Sequence, residues 1–499
     1  MNRNLRIPLL LLCCLVTAGL AAAQTNNPNN PTWWNKYQRL AANGAAPNAG
    51  PSSSLSVGAN VNVSNECAPQ SETYITINPA NAKALAAGSN EIFRLPMRGY
   101  ASSNSGGSWT GVDLPLPPAI GTNGFDFGSD PSLVFDSQGN AFYSYIVVFF
   151  SAGKSGANVN GTEIAVARSS DGGKTYPNAS FFSFSSGQDH FNDKPMITAD
   201  VNAASLFRDN IYVAWDAASG GSRGGGVRLA TSRDHGATFS ITRIDSPTGP
   251  GRAIGAVPFV GPNGEVYAAW NDYAANTIAF NRSFDGGATW DTPVVVSSKR
   301  LPFAIGIPAE FSRGALEYPA CAADRSSGHF RGRLYCSWMD LTPAGTTDIF
   351  LSHSDDHGAT WSPRIAVSDA FGTPVDRFNH WLAVDPVTGD INVSFYDTRN
   401  DTTGFRYMTD VYISQSTDGG ASFGPNTRVT TVSSNEHDCN GTFPCTAGID
   451  YGNQQGDYEG LASFGGVSHP IWTDSRNQLT PVSGCRFNAM EEVFTATVK

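Results

Sequence analysis

The chain has 499 residues, with 43 acidic side chains against 32 basic ones, a net charge of −11 and no acidic or basic tail. That balance argues against a protein that grips nucleic-acid phosphates. The 52 glycines, 30 prolines and 15% charged residues suit many short strands and turns, and no stretch beyond the first 25 residues is apolar for long enough to span a bilayer.

At the N-terminus, Arg3 and Arg6 precede an apolar run from Ile7 to Leu20, and Ala21-Ala22-Ala23 offers a small-residue cleavage site. Residues 1–23 are therefore predicted to be an export signal, and the mature protein to be secreted or periplasmic. Residues 24–54, rich in Asn, Pro, Ala and Ser, read as a flexible leader. Residues 55–499 read as one domain. Cys13 and Cys14 leave with the signal, and the six remaining cysteines suit an oxidising compartment. Sequence leaves their connectivity open. The favoured pairing joins Cys321 to Cys336 on neighbouring strands, Cys439 to Cys445 across a short loop, and Cys67 to Cys485 between the chain ends. No C-x-x-C or H-E-x-x-H spacing points to a metal centre, and no glycine-rich nucleotide loop stands between a strand and a helix.

A phrase Ser-x-Asp-x-Gly-x-(Thr/Ser)-aromatic recurs with its aspartate at Asp171, Asp234, Asp285, Asp356 and Asp418, and an imperfect copy carries Asn104. Copies roughly 60 residues apart mean one supersecondary unit repeated along the chain. Each is predicted to be a turn: the Asp or Asn bonds the backbone just ahead, Gly supplies positive φ, and the aromatic side chain folds back as a plug. The phrase resembles the Asp-box, or bacterial neuraminidase repeat, of sialidases and other β-propellers, and the resemblance covers nearly the whole mature chain.

Strand patterns around the boxes give four antiparallel strands per unit, the mark of a propeller blade. In the second unit these are Pro131–Phe135, Ala141–Ile146 and Glu163–Ala167, followed by a polar strand after the box. First strands are placed near Thr73, Pro131, Pro195, Pro258, Pro319, Trp381 and Tyr458. The last unit stops before a box or fourth strand, and Asn60–Val63 ahead of the first unit has the look of an outermost strand. The expected fold is all-β: a propeller of seven blades closed by the N-terminal strand, with six blades, as in sialidases, as the alternative.

Box aspartates fall on the face opposite the starts of the innermost strands, so chemistry is sought at the other end. Near the first-strand starts lie Glu72, Asp130, Asp193-Lys194, Glu317-Tyr318, Arg377 with His380, and Asp457-Tyr458; second strands end on Asp216, Asp272, Asp340, Asp397 and Asp474. Arg94, Arg399 and Arg476, with Arg377 nearby, depart from the repeat in blades one, six and seven. Converging guanidiniums would hold a carboxylate, and the set resembles the arginine triad of sialidases. Against that stands plain pairing of each with a carboxylate such as Asp397, Asp410 or Asp474. Phe93-Arg94-Leu95-Pro96 resembles the Phe-Arg-Ile-Pro motif of sialidases, displaced toward the first box.

The resemblance also implies a Tyr nucleophile with a Glu partner and a separate Asp acid. Face and blade position offer Tyr458 with Glu317 or Glu459, and Asp130 as the acid, with Tyr318 and Tyr451 equally available, and Glu72, Asp397 and Asp474 as further substrate contacts. The expected function is a secreted sialidase-like glycoside hydrolase, monomeric, acting on an extracellular glycan or polysaccharide. The alternatives are a non-catalytic propeller binding glycan or protein, a seven-bladed glucan hydrolase, and a polysaccharide lyase. No cofactor is expected; calcium is compatible with the acidic face, although no EF-hand-like spacing supports it.

Overall fold

The computed structural model describes residues 55–66, 68–118, 126–151, 158–186, 192–217, 225–246, 253–301, 303–437, 454–477 and 491–499. Among them there is no helix. Seven sheets of four antiparallel strands form the blades, each with its first strand innermost. The innermost strands are Gln70–Ile77, Phe127–Phe135, Asp193–Ala199, Ala253–Val260, Ala320–Ala323, Arg377–Val384 and Gly460–Phe464.

Blade seven takes its outermost strand from the N-terminus. Val61–Asn62 pairs with Glu492–Thr495 in the register Val61 to Thr495 and Asn62 to Phe494. An isolated bridge between Val57 and Val498 extends the closure. Joining the chain ends in one sheet removes the open edges that an array of seven blades would otherwise leave. Blade six carries a fifth, two-residue strand, Ser434–Asn435, on its third strand, and a small hairpin, Ala304–Ile305 with Ala315–Leu316, precedes blade five.

In blades two, three and four the first strand begins upstream of the proline that marks it in sequence, and in blade five it begins just after Pro319. Five first strands carry a β-bulge: register shifts fall between Ser71 and Tyr74, Ser129 and Ser132, Asp193 and Met196, Ile254 and Val257, and Phe378 and Trp381. In blades two and three the bulge contains Pro131 and Pro195, which have no N–H for the ladder; in blades one, four and six it holds no proline.

Each box closes as a local turn. In the second blade Ser169 Oγ donates to Asp171 Oδ1 at 2.7 Å, the Thr175 amide donates to Asp171 Oδ1 at 3.0 Å, and the Gly173 amide donates to Ser169 Oγ at 2.8 Å, with Gly173 at φ 89°. Asn104 does the same work with its amide: Oδ1 accepts from the Ser108 amide and Nδ2 donates to Ser108 Oγ, both at 3.0 Å. A second set of aspartates follows the first strands. Asp136, Asp200, Asp324 and Asp385 each accept from the amide two residues on, at 2.8 to 2.9 Å.

Between blades the sheets stack through large side chains of the second strands, including the fully buried Trp215, Trp338 and Trp472. Cys321 and Cys336 lie opposite each other on the first two strands of blade five and form a disulfide, the pairing expected. Cys67, Cys439, Cys445 and Cys485, with the signal and leader, lie outside the described residues.

Candidate functional site

The bulges decide what stands at the mouth of the central channel. Within three of them the first residue is charged and left-handed: Glu72 at φ 51°, Asp130 at φ 62° and Lys194 at φ 51°. Such a backbone is costly for a residue with a Cβ and persists only where the surroundings fix it. Gly255 and Asn379 hold the same place in blades four and six, at φ 68° and 45°.

Three consecutive blades thus aim charged groups at one point. Lys194 Nζ lies 3.0 Å from Glu72 Oε2, 2.8 Å from Asp457 Oδ2 and 3.6 Å from Asp130 Oδ1, with all four side chains buried. Arg313, from the loop before blade five, crosses the mouth to pair with Glu72 Oε1 at 3.0 Å and with Asp457. Asn90 ties the group together: its Nδ2 donates to Glu72 at 2.9 Å while its Oδ1 accepts from the Asp130 amide at 2.7 Å. Tyr318 donates to Asp457 Oδ2 at 3.2 Å, Tyr458 donates to the Pro131 carbonyl at 3.1 Å, and the Tyr458 ring lies 4.7 Å from Lys194 Nζ.

Charge balance divides the carboxyls into two kinds. Glu72, Asp130, Asp193 and Asp457 surround two cations, so two of the four must hold protons for the cluster to be neutral. Burial acts to raise all four. It prevails at Glu72 and at Asp193, where the Asp130 charge adds to it; at Asp130 and Asp457 Lys194 overrides it and holds the carboxyl below the usual range. Beside them, burial pushes Asp216 up to about 8.

A cavity of about 640 Å³ opens next to this cluster, between blades one and two, and is lined by Glu72, Asn90, Glu91, Arg94, Asp130 and Arg313 together with the apolar Phe93, Leu95 and Phe127. Glu91 ends the second strand of blade one and accepts from Tyr100 Oη at 2.8 Å and Ser89 Oγ at 3.2 Å; burial raises its carboxyl to about 7. Phe93 and Leu95 stand exposed on the rim.

The residues singled out in sequence separate into groups. Glu72, Asp130 and Tyr458 meet around Lys194, and Arg94 lines the adjoining cavity while paired to Glu66 and, at 3.1 Å, to Asp113. The Tyr458 hydroxyl is held protonated by burial, and Asp130 is ionised, which suits a charged partner better than a proton donor. Glu317 lies elsewhere, fully buried 3.4 Å from Lys299. Arg377 is fully buried between Asp397, at 2.7 Å, and Asp348, at 2.9 Å, and its remaining nitrogen donates to Ala370 and Thr373. Arg399 binds the same Asp397 at 2.7 Å over the Tyr412 ring, and Arg476 binds Asp474 at 2.6 Å over the Phe494 ring. In blade five Arg364 pairs with Asp340 over Phe350. The arginines of blades six and seven are therefore one clamp repeated, joining the end of a second strand to its neighbour. Tyr451 lies outside the described residues.

Lys194, Glu91 and Arg313 complete the constellation without having been chosen as site residues. The sequence signal for Lys194 is Lys194-Pro195, which repeats the Asp130-Pro131 pattern one blade on. Arg313 sits in an insertion with no pattern of its own.

No protein-family model matches the chain, and no curated protein matches it. Among solved structures the chain is similar to a protein of unknown function from Dyadobacter fermentans, at 16% identity over 68% of this chain and 94% of that one, with a TM-score of 0.43. It is also similar to a leech intramolecular trans-sialidase, at 12% identity over 78% and 71% with a TM-score of 0.45. A third similarity is to the phage phi92 endosialidase, at 10% identity over 89% and 69% with a TM-score of 0.49.

Proposed function

We propose that the protein is a secreted carbohydrate-active enzyme, a glycoside hydrolase that takes an acidic glycan into the cavity between blades one and two. One observation carries the reading: a single cavity is lined by carboxyls whose surroundings push them apart, Glu91 raised to about 7 by burial and Asp130 lowered by Lys194. A pair split in this way offers a proton donor and a charged partner at neutral pH. Glu91 protonates the leaving oxygen, Asp130 stabilises positive charge at the sugar or activates water, and Arg94 and Arg313 receive a substrate carboxylate. Phe93 offers an apolar face to a sugar ring.

The test is turnover by the mature protein of a methylumbelliferyl sialoside and of acidic polysaccharides, followed by reducing-end release. Loss of turnover in Glu91→Gln, with folding retained, supports the reading; a wild type silent on every substrate sinks it. Ultraviolet absorbance of unsaturated uronate would mark a lyase instead. A second reading, glycan binding without cleavage, draws on the low exposure of Asp130, 6%. Retained binding on a glycan array without product would favour it.

A further inference from the structure

Below the charged mouth the central channel changes character. Tyr74 stands edge-on to Trp381 with centroids 5.3 Å apart, and Trp381 lies 6.2 Å from Tyr458, an aromatic layer beneath Lys194. Past it, a cavity of about 270 Å³ runs down the innermost strands of all seven blades toward the box face. Its side chains are mostly apolar, among them Ile75, Leu133, Val257 and Leu461. Each innermost strand pairs on one side only, so its other edge presents backbone N–H and C=O groups to the lumen.

One lining side chain is charged. Arg325 follows the first strand of blade five, and its guanidinium makes no hydrogen bond or ion pair with any described residue. Its backbone is fixed, because Arg331 Nη1 donates to the Arg325 carbonyl at 2.9 Å. Neither nearby carboxylate pairs with the guanidinium directly: Asp324 Oδ1 accepts from the Ser326 amide at 2.8 Å, and Asp200 Oδ1 accepts from Asn202 at 2.9 and 2.7 Å while its buried Oδ2 makes no hydrogen bond. Burial lowers the guanidinium's pKa, with only the Asp200 charge acting against it. The guanidinium is half-buried in the channel wall, where it is the one charged lining side chain, and a planar guanidinium is shaped for two parallel bonds to a carboxylate.

We propose that this lower channel is a binding site for a small organic carboxylate, paired through its charge to Arg325 and seated with its apolar part among the innermost strands. The volume falls just under the range of about 300–1,000 Å³ typical of organic-ligand sites, which limits the ligand to a small acid and excludes an oligosaccharide. The site is separate from the cavity between blades one and two and does not depend on what that cavity does.

Isothermal titration of the full mature chain with acetate, hexanoate and benzoate tests it, with benzyl alcohol and sulfate as comparators. At least one carboxylate should bind with one-to-one saturation, benzyl alcohol and sulfate at least tenfold more weakly. Arg325→Met should weaken the carboxylate at least tenfold, and Arg325→Lys, which keeps charge but not the fork, by an intermediate factor. Because Arg325 has no partner to lose, Arg325→Met should melt no lower than the wild type; should it fail to fold, the Arg325→Lys titration carries the test alone. Failure of all three carboxylates to bind, equal binding by the variants, or sulfate binding as tightly as the best carboxylate overturns the proposal.

Discussion

The two ends of the central channel treat charge in opposite ways. At the upper mouth the buried Lys194 and the half-buried Arg313 are surrounded by four carboxyls from blades one, two, three and seven, two of them charged and two protonated. At the lower end a single guanidinium has no partner among the described residues. The upper group therefore contributes to the closure of the ring, whereas the lower one is left available to something outside the chain.

Breaking the upper cluster should have the largest effect. Lys194→Met leaves Glu72, Asp130 and Asp457 with Arg313 alone, and removing one partner of a buried ion pair costs about 3–5 kcal/mol. Urea denaturation at neutral pH should show that loss. Denaturation at pH 4 should show less of it, since the orphaned carboxyls can then take protons.

Arg476→Ala comes next. It leaves Asp474 buried with Trp472 Nε1 as its remaining side-chain donor, for a loss of about 2 kcal/mol. If the arginine is a clamp, melting temperature falls and KM for any glycan substrate is unchanged; a raised KM at unchanged stability would return it to the binding site.

The pH dependence of stability sharpens the same contrast. Asp130 and Asp457 have lowered folded-state pKa values, so their contribution is present above the unfolded value of about 3.9 and is lost as pH falls through the folded values. Asp216 is raised by burial to about 8; its contribution is full below about 4 and is lost as pH rises toward 8. Stability should peak in mild acid. Asp216→Asn, which can still accept from the Gly255 amide, should flatten the alkaline decline measured by denaturation across that range.

The box turns should respond least. Asp285→Ala removes local bonds to Thr289 at 2.5 and 2.9 Å on an exposed loop, a loss of about 1 kcal/mol that thermal melting should resolve.

These differences explain what could be read from the sequence. The boxes, the strand patterns and the closing strand are local or periodic, so seven blades and the Cys321 to Cys336 bridge were legible residue by residue. The candidate site is not periodic. Asp130 and Glu72 were visible as acids near first-strand starts, but nothing local shows that Lys194 stands between them. Arg313 reaches the mouth from an insertion, and Glu91 gains its raised pKa from burial, which no motif records. Conversely, Arg399 and Arg476 looked like exceptions because their partners, Tyr412 and Phe494, lie one strand away; the repeated clamp appears only when the strands are aligned.

The most direct test of the central claim is the pH profile of kcat/KM on the best acidic glycan found for the wild type, compared with Glu91→Gln and Asp130→Asn of verified fold. The wild type should show an alkaline limb near 7 set by Glu91, and each variant a loss of at least about 100-fold. An unchanged profile in Glu91→Gln would contradict it.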